Sequence, residues 1–275
     1  MPLSVSEPIW LPWSPFRSGT ELADSSSNPN LGSRVPTGIP GLDKLLTGGL
    51  PKGRIILLTG GPGTGKTILS TQFLVNGILD YEEPGVYVSL DENKQHVCEE
   101  MMDFGWDLPD LESNKQLVFL EASPIRYLPA EIKVGKVTVS RREFSMATLI
   151  EMIRTSVRDI NAKRIVVDPV TTLVFQYEGQ IQQRNALVEL MEALADTGTT
   201  CIITTELRRP GFERMLDYEE YLAHGVILLQ QLQVGKSLLR VIQIEKMRKT
   251  PVDNQPRPYR ITETGIEVFP RESVL

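Results

Sequence analysis

The sequence predicts a single α/β domain, with a mostly parallel central sheet flanked by helices and antiparallel strands added at its C-terminal end. Three observations predict it. Five short apolar runs recur along the chain, each apolar through its middle and closed by polar residues or glycine. Such near-continuous runs indicate strands buried on both faces, as in parallel sheets. Stretches with helical spacing lie between the runs, and strand alternating with helix implies right-handed crossovers. After His224 the helices stop and longer strand-like segments follow one another.

In chain order, residues 1–33 read as a tail. "MPLSVSEPIWLPWSPF" carries four prolines in sixteen residues, and "DSSSNPN" follows. Pro and Ser at this density hold neither helix nor strand. The tail reads as a flexible extension, though Trp10, Trp13 and Phe16 also fit an aromatic–proline peptide that docks on a protein partner. The domain is expected over 34–275. Its strands are "RIILLTG" (54–60), "GVYVSLDE" (85–92), "LVFLEA" (117–122), "RIVVDP" (164–169) and "TCIITTE" (200–206). Helical spacing covers Thr67–Leu79, Lys94–Phe104, Ala147–Ile160 and Ile181–Ala195. "IKVGKVTVS" (132–140) reads as a small hairpin. A longer hairpin covers 224–247 with its turn at Gly235-Lys236, and "YRITETGIEVF" adds a further pair.

Bulk composition excludes several classes. The 275 residues are 41 % hydrophobic and 23 % charged, which suits a water-soluble globular chain with a sizeable core. Net charge is −6, so there is no global basic field to favour non-specific nucleic-acid binding. Cys98 and Cys201 make no disulfide framework, and a cytoplasmic setting is expected. His96 and His224 are too few and too far apart for a zinc site. Neither a membrane span nor a signal peptide is expected.

The chemistry begins at "GGPGTGKT", Gly60–Thr67, which fits G-x-x-x-x-G-K-[ST] after a predicted strand and before a predicted helix. Glycines let the backbone curl so that N–H groups point at phosphate oxygens, and the helix adds its positive dipole end. Gly61, Pro62, Gly63, Thr64, Gly65 and Ile68 are the candidate cradle. Lys66 would carry a charge to the β- and γ-phosphates, and Thr67 would offer a hydroxyl to Mg²⁺. Asp168, at the tip of "RIVVD", is the second candidate Mg²⁺ position. Asp91 and Glu92 end the strand after the cradle helix. A carboxylate there would orient or deprotonate an attacking water, and Glu92 reaches further. Late in the chain, "IEKMRKTP" sets Lys246 and Arg248 at alternate strand positions, a cationic pair that wants an anion.

These segments together resemble the KaiC branch of the RecA/RadA-type ATPases. "RVPTGIPGLDKLLTGGLPKG", "GGPGTGKT", "VYVSLDEN", "FGWDL", "LEASP", "RIVVDPVTTLV", "TTELRR", "IEKMRKT" and "YRITETGIEVF" carry the resemblance, in order, over about residues 34–270. It implies a RecA-like P-loop fold, ATP and Mg²⁺ as ligands, and a ring, usually a hexamer, with ATP between neighbouring subunits. The family's two catalytic acids match Asp91 and Glu92. Its Lys-x-Arg pair, which reaches the neighbour's ATP, matches Lys246 and Arg248 around Met247. By the same resemblance Asp103, Thr250, Thr262 and Glu263 join the nucleotide contacts, the two threonines and Glu263 on one face near base or ribose. Pro169 stands where relatives usually have a small polar residue. The clock members carry two such domains and a phosphorylated C-terminal segment; one domain is read here, so a clock role is not expected and self-phosphorylation is left open.

The functional expectation is an ATP-hydrolysing, ring-forming regulator. The alternative is a RadA-like recombination accessory that binds single-stranded DNA through "ELRRPGFERMLDY" (206–218), where Arg208, Arg209, Arg214 and Phe212 supply charge and a stacking ring. Interleaved Glu206, Glu213, Asp217, Glu219 and Glu220 spoil a clean positive groove, so nucleic acid is the less favoured partner.

Overall fold

The computed structural model describes residues 32–122, 131–134, 137–140, 146–206, 218–235 and 237–274. The expected tail therefore lies almost wholly outside the described residues. The chain opens with β1 (Arg34–Val35), α1 (Leu42–Leu45) and β2 (Leu50–Pro51), then β3 (Ile55–Gly60), α2 (Lys66–Tyr81), β4 (Gly85–Ser89), α3 (Lys94–Met102), α4 (Leu108–Ser113) and β5 (Leu117–Glu121). There follow β6 (Glu131–Val134), β7 (Val137–Ser140), α5 (Met146–Ile160), β8 (Arg164–Asp168), α6 (Val170–Val174), α7 (Gln180–Asp196), β9 (Thr200–Glu206) and α8 (Tyr218–Leu222). Four strands close the fold: β10 (Gly225–Val234), β11 (Ser237–Met247), β12 (Arg257–Thr262) and β13 (Gly265–Val268).

Among the described residues, nine strands form one sheet in the order β13-β12-β11-β10-β3-β9-β8-β4-β5. The stretch from β10 to β5 is parallel throughout. β11, β12 and β13 continue it antiparallel, and β6 and β7 form the expected hairpin apart from the sheet. β10 was grouped by sequence with the antiparallel strands; it pairs parallel to β3, so the change of direction comes one strand later. Four predicted strands are shorter than expected, β3, β5 and β8 by one residue and β4 by three. β4 stops at Ser89, because the Leu90 N–H bonds to Asp168 O (2.8 Å) and the Ser89 hydroxyl closes a turn onto Glu92 O (2.5 Å). β8 stops at Asp168, and the chain turns through Pro169 into α6.

The period of two decides which core each strand residue joins. Ile56, Leu58, Tyr87, Val166 and Ile202 face α2 and the layer containing Leu42, Phe73 and Trp106. Ile55, Leu57, Val86, Val88, Ile165, Val167 and Ile203 face α5, α6 and α7. With both faces covered, these strands are apolar at successive positions through their middles, which is the pattern the sequence shows.

One charged side chain pins α2 to the sheet. Arg164 begins β8 and its side chain is fully buried. It donates from Nε to Glu83 (2.7 Å) and from Nη1 to Phe73 O (2.8 Å), and its guanidinium lies over the Phe73 ring at 4.6 Å. Burial lowers the Arg164 pKa, and Glu83 opposes that shift. Room for the guanidinium comes from Gly77, where an added Cβ would sit 2.3 Å from Arg164 Nε. Gly77→Ala should therefore destabilise the fold by about 2 kcal/mol, although alanine is the better helix former, because the pinned cation cannot move aside cheaply. Urea denaturation followed by circular dichroism checks this; a stabilised variant would show that the guanidinium yields.

Candidate functional site

Gly60 ends β3, residues 61–65 loop, and α2 begins at Lys66. Gly63 (φ 71°) and Gly65 (φ 87°) take left-handed conformations, which curl the loop around its own N–H groups. The N-terminus of the sixteen-residue α2 faces the same place. Thr64 Oγ1 donates to Gly61 O (2.8 Å), and Gln231 Nε2 donates to Gly63 O (3.3 Å). The C-terminal hairpin supports the loop from outside. Tyr259 Oη donates to Thr64 O, a Cβ at Gly65 would lie 3.1 Å from Ile261, and the Gln72 side chain bonds both N–H and C=O of Ile266. Pro62 is exposed and Ile68 packs against the core beneath.

Lys66 Nζ donates to Gly60 O (2.9 Å) and Gly61 O (3.1 Å), so the ammonium lies across the cradle. Burial lowers its pKa while the charges of Asp168 and Glu206 pull it back up. Asp168 is buried at the end of β8 and accepts from Tyr87 Oη (2.8 Å) and from the Thr204 hydroxyl. The partners that orient this carboxylate thus come from β4 and β9, on either side, and none is needed from Pro169. The Thr67 hydroxyl makes no hydrogen bond among the described residues. One hydroxyl and one oriented carboxylate beside a phosphate cradle suit Mg²⁺, which keeps several waters and takes few protein oxygens. No group of three or more His, Cys, Asp or Glu able to hold a metal occurs among the described residues, so the donor set does not form an all-protein cage.

Glu92 and Asp91 sit in the turn after β4, both exposed. Burial of its carboxyl raises the Glu92 pKa, and Glu100, Asp168 and Asp91 raise it further, against a small opposing effect of His96. Glu92 thus lies within electrostatic reach of Asp168. Glu206, read by sequence as the end of a strand and as an acid interleaved in the following loop but not as a site residue, ends β9 opposite Gly60 and acts on Lys66. Tyr87, Thr204 and Glu206 were missed as site residues. Their only signal is a polar atom near or at the end of an apolar strand.

Lys246 and Arg248 lie elsewhere. Lys246 pairs with Val226 and Val226 with Leu57, three residues short of Gly60. At about 3.3 Å per residue, the pair sits about 10 Å back from the end of β3, with the cradle further on. Arg248 is one residue beyond β11, yet both side chains reach Tyr221 O, at 3.2 and 3.4 Å. Around them gather cations the sequence reading did not connect. Arg34 donates to Thr250 Oγ1 (2.6 Å) and Lys249 O (3.0 Å), and Arg54 Nη1 lies 3.3 Å from His224 Nε2. Burial, then Arg54, Arg248 and Lys246, depress the His224 pKa.

Thr262 and Glu263 were expected on one face with Thr250. Within one chain they are not. Antiparallel pairing of β11 with β12 carries the Thr262–Gly265 turn back toward the cradle helix, where Gly265 abuts Gln72 and Trp106. Thr250 stays at the opposite end beside Arg34. Asp103 is exposed at the C-terminal end of α3, three residues before Trp106, and so belongs to the Thr262–Glu263 side. Residues 207–217 of the DNA-contact expectation lie outside the described residues.

Comparison with known proteins agrees with this geometry. The family model for the KaiC ATPase matches residues 35–273. A UPF0273 protein from Pyrococcus horikoshii is 38% identical over 247 residues, 86% of this chain and 94% of that protein. The circadian clock oscillator protein KaiC of Synechococcus elongatus is 35% identical over 239 residues, 86% of this chain but 44% of that protein, so this chain spans under half of the clock protein's length. The crystal structure of a KaiC-like protein from Pyrococcus horikoshii superposes with a TM-score of 0.74 at 35% identity, covering 87% of this chain and all of that one.

The electrostatics of the turn after β4 predict a measurable titration. The Glu92 carboxyl should titrate above the ordinary glutamate range in the nucleotide-free protein, followed by carboxyl ¹³C NMR. Glu100→Gln removes a negative neighbour and should lower the Glu92 midpoint. An unchanged midpoint would show that Glu100 does not face it.

Proposed function

The chain belongs to the KaiC ATPase family, and on that premise we propose that it binds and hydrolyses ATP at the interface between protomers of a ring, with six as the expected number. One observation carries the interface reading. The cradle and the Arg248 cluster occupy opposite ends of the same sheet, so neither can serve the other within one chain. A head-to-tail ring brings each cradle against the next protomer's cluster and closes without leftover ends.

Each residue then has a task. The 61–65 loop binds phosphate oxygens through its N–H groups, and Lys66 leaves the Gly60 and Gly61 carbonyls to meet the β- and γ-phosphates. Thr67 and Asp168 would hold Mg²⁺, which when bound neutralises phosphate charge. Glu92 accepts the proton of the attacking water, and its raised pKa suits a base. Asp91 plays a lesser part. Arg248 of the neighbouring protomer meets the charge that spreads over the equatorial oxygens. Asp103, Thr262 and Glu263 contact base or ribose from the side of α3 and the last hairpin. Because turnover alters a contact between protomers, the site fits a regulatory ATPase in which nucleotide sets ring stability or partner affinity. Membership of this family does not favour the single-stranded DNA reading. No helix among the described residues is long and apolar enough to cross a membrane.

Lys66→Ala should sharply weaken binding of a slowly hydrolysed ATP analogue in isothermal titration, and unchanged affinity would remove Lys66 from the site. Glu92→Gln should bind ATP with Mg²⁺ but turn over about 10² times more slowly, with Asp91→Asn less affected. Wild-type turnover should fall as pH drops through the raised Glu92 pKa, since only the carboxylate accepts a proton. Arg248→Ala and Lys66→Ala proteins, each nearly inactive, should regain phosphate release when mixed and allowed to exchange protomers. Mixed rings verified by mass measurement but no recovery would rule out action in trans.

A further inference from the structure

The two oxygens of Asp168 accept from two hydroxyls, Oδ1 from Thr204 and Oδ2 from Tyr87 Oη (2.8 Å). The two donors reach it differently. Thr204 follows Ile203, which pairs with Val167, so it stands level with Asp168 and a short side chain suffices. Tyr87 pairs with Val166, two residues short of Asp168, so a long side chain is needed to reach forward along the sheet. Its ring is fixed for that reach. It is 1 % exposed and stacks on Phe119 of β5, with ring centroids 4.9 Å apart. Thr71, one turn beyond Thr67 on α2, brings its own buried hydroxyl to the same phenol. Phenylalanine would serve the packing at this position; the phenol oxygen is what packing does not explain.

We propose that Tyr87 is a positioning residue for the metal: its phenol fixes the Asp168 carboxylate, and so sets how tightly the site takes Mg²⁺ without touching the nucleotide. This rests on the assignment of Thr67 and Asp168 to Mg²⁺ given above. A metal site with few protein oxygens needs each of them aimed before the ion arrives, and the groups that hydrogen-bond a ligating carboxylate do the aiming. An ionised carboxylate offers about four acceptor sites, of which the two hydroxyls occupy two, leaving the others for the ion or its waters. Neither bond has to break for nucleotide to bind. Both lie within the sheet, among β4, β8 and β9, whereas phosphate meets the loop before α2. Loss of the phenol oxygen would leave the buried Oδ2 one donor short and the carboxylate freer to turn.

Isothermal titration of a slowly hydrolysed ATP analogue, once in Mg²⁺ and once in EDTA, tests this. Tyr87→Phe keeps the ring, so it should bind the analogue about tenfold more weakly than the wild type in Mg²⁺ but within about twofold of it in EDTA. A merely structural hydroxyl would weaken both alike; that outcome overturns the proposal, as does unchanged affinity in both. Asp168→Asn, measured in parallel, should also lose affinity in Mg²⁺. If it does not, the assignment of Asp168 to the metal fails, and the proposal with it. If Asp168→Asn loses affinity in Mg²⁺ and Tyr87→Phe does not, the assignment stands and the role of Tyr87 alone is overturned. Should Tyr87→Phe not fold, the otherwise unaltered chain carrying 3-fluorotyrosine at position 87 decides instead. Mg²⁺ added after saturation with the analogue should move its ¹⁹F resonance, and a resonance that stays in place overturns the proposal.

Discussion

The direction of six strands governs everything else. β10, β3, β9, β8, β4 and β5 run parallel, so all their C-terminal ends emerge on one edge of the sheet and all their N-terminal ends on the other. Side chains far apart in sequence meet because they end neighbouring strands: Gly60 and Glu206, then Asp168, then the turn that carries Glu92. The same constraint sends Lys246 and Arg248 to the far edge, because β11 returns antiparallel and ends where β10 began. The 61–65 loop and the cationic cluster stand on opposite edges of one sheet, where a single chain cannot bring them together.

Most of the sheet was legible in the sequence because burial on both faces leaves an unmistakable mark. "RIILLTG" and "TCIITTE" are apolar through their middles, and the structure gives strands there with nearly the expected limits. "VTTLV" was not legible as helix α6. Its composition is that of a strand, and only the turn at Pro169 sends it elsewhere. Contiguous parts of the site were readable for a related reason: the cradle is local chain geometry, written in eight residues. The hydrogen bonds that orient Asp168 were not, since Tyr87 and Thr204 become its neighbours only through the order β4-β8-β9, and lateral strand order has no local signature. Thr250 and Thr262 show the converse. The resemblance implied one cluster, and strand pairing puts them at opposite ends within one chain.

Arg164 shows how the fold accommodates a charge in its interior. Arg164 is fully buried, but Glu83 and Phe73 O take its donors and Gly77 makes the space. Burying such a cation gains little net stability, whereas leaving it unpaired would cost several kilocalories per mole. Its value is geometric. It fixes the roll of α2 against β8, and α2 carries Lys66 and Thr67 at one end.

The last hairpin has a consequence for how the molecule is made. Tyr259, Ile261 and Ile266 support a loop that precedes them by nearly two hundred residues. During synthesis the 60–67 loop emerges well before its buttress and waits until β12 and β13 have left the ribosome. Contacts of such long sequence separation form late, because the intervening chain must first be ordered. A growing or truncated chain that lacks β12 and β13 would hold a loosely shaped loop with little purchase on phosphate. On the proposed function, nucleotide capture therefore waits until β12 and β13 have been made.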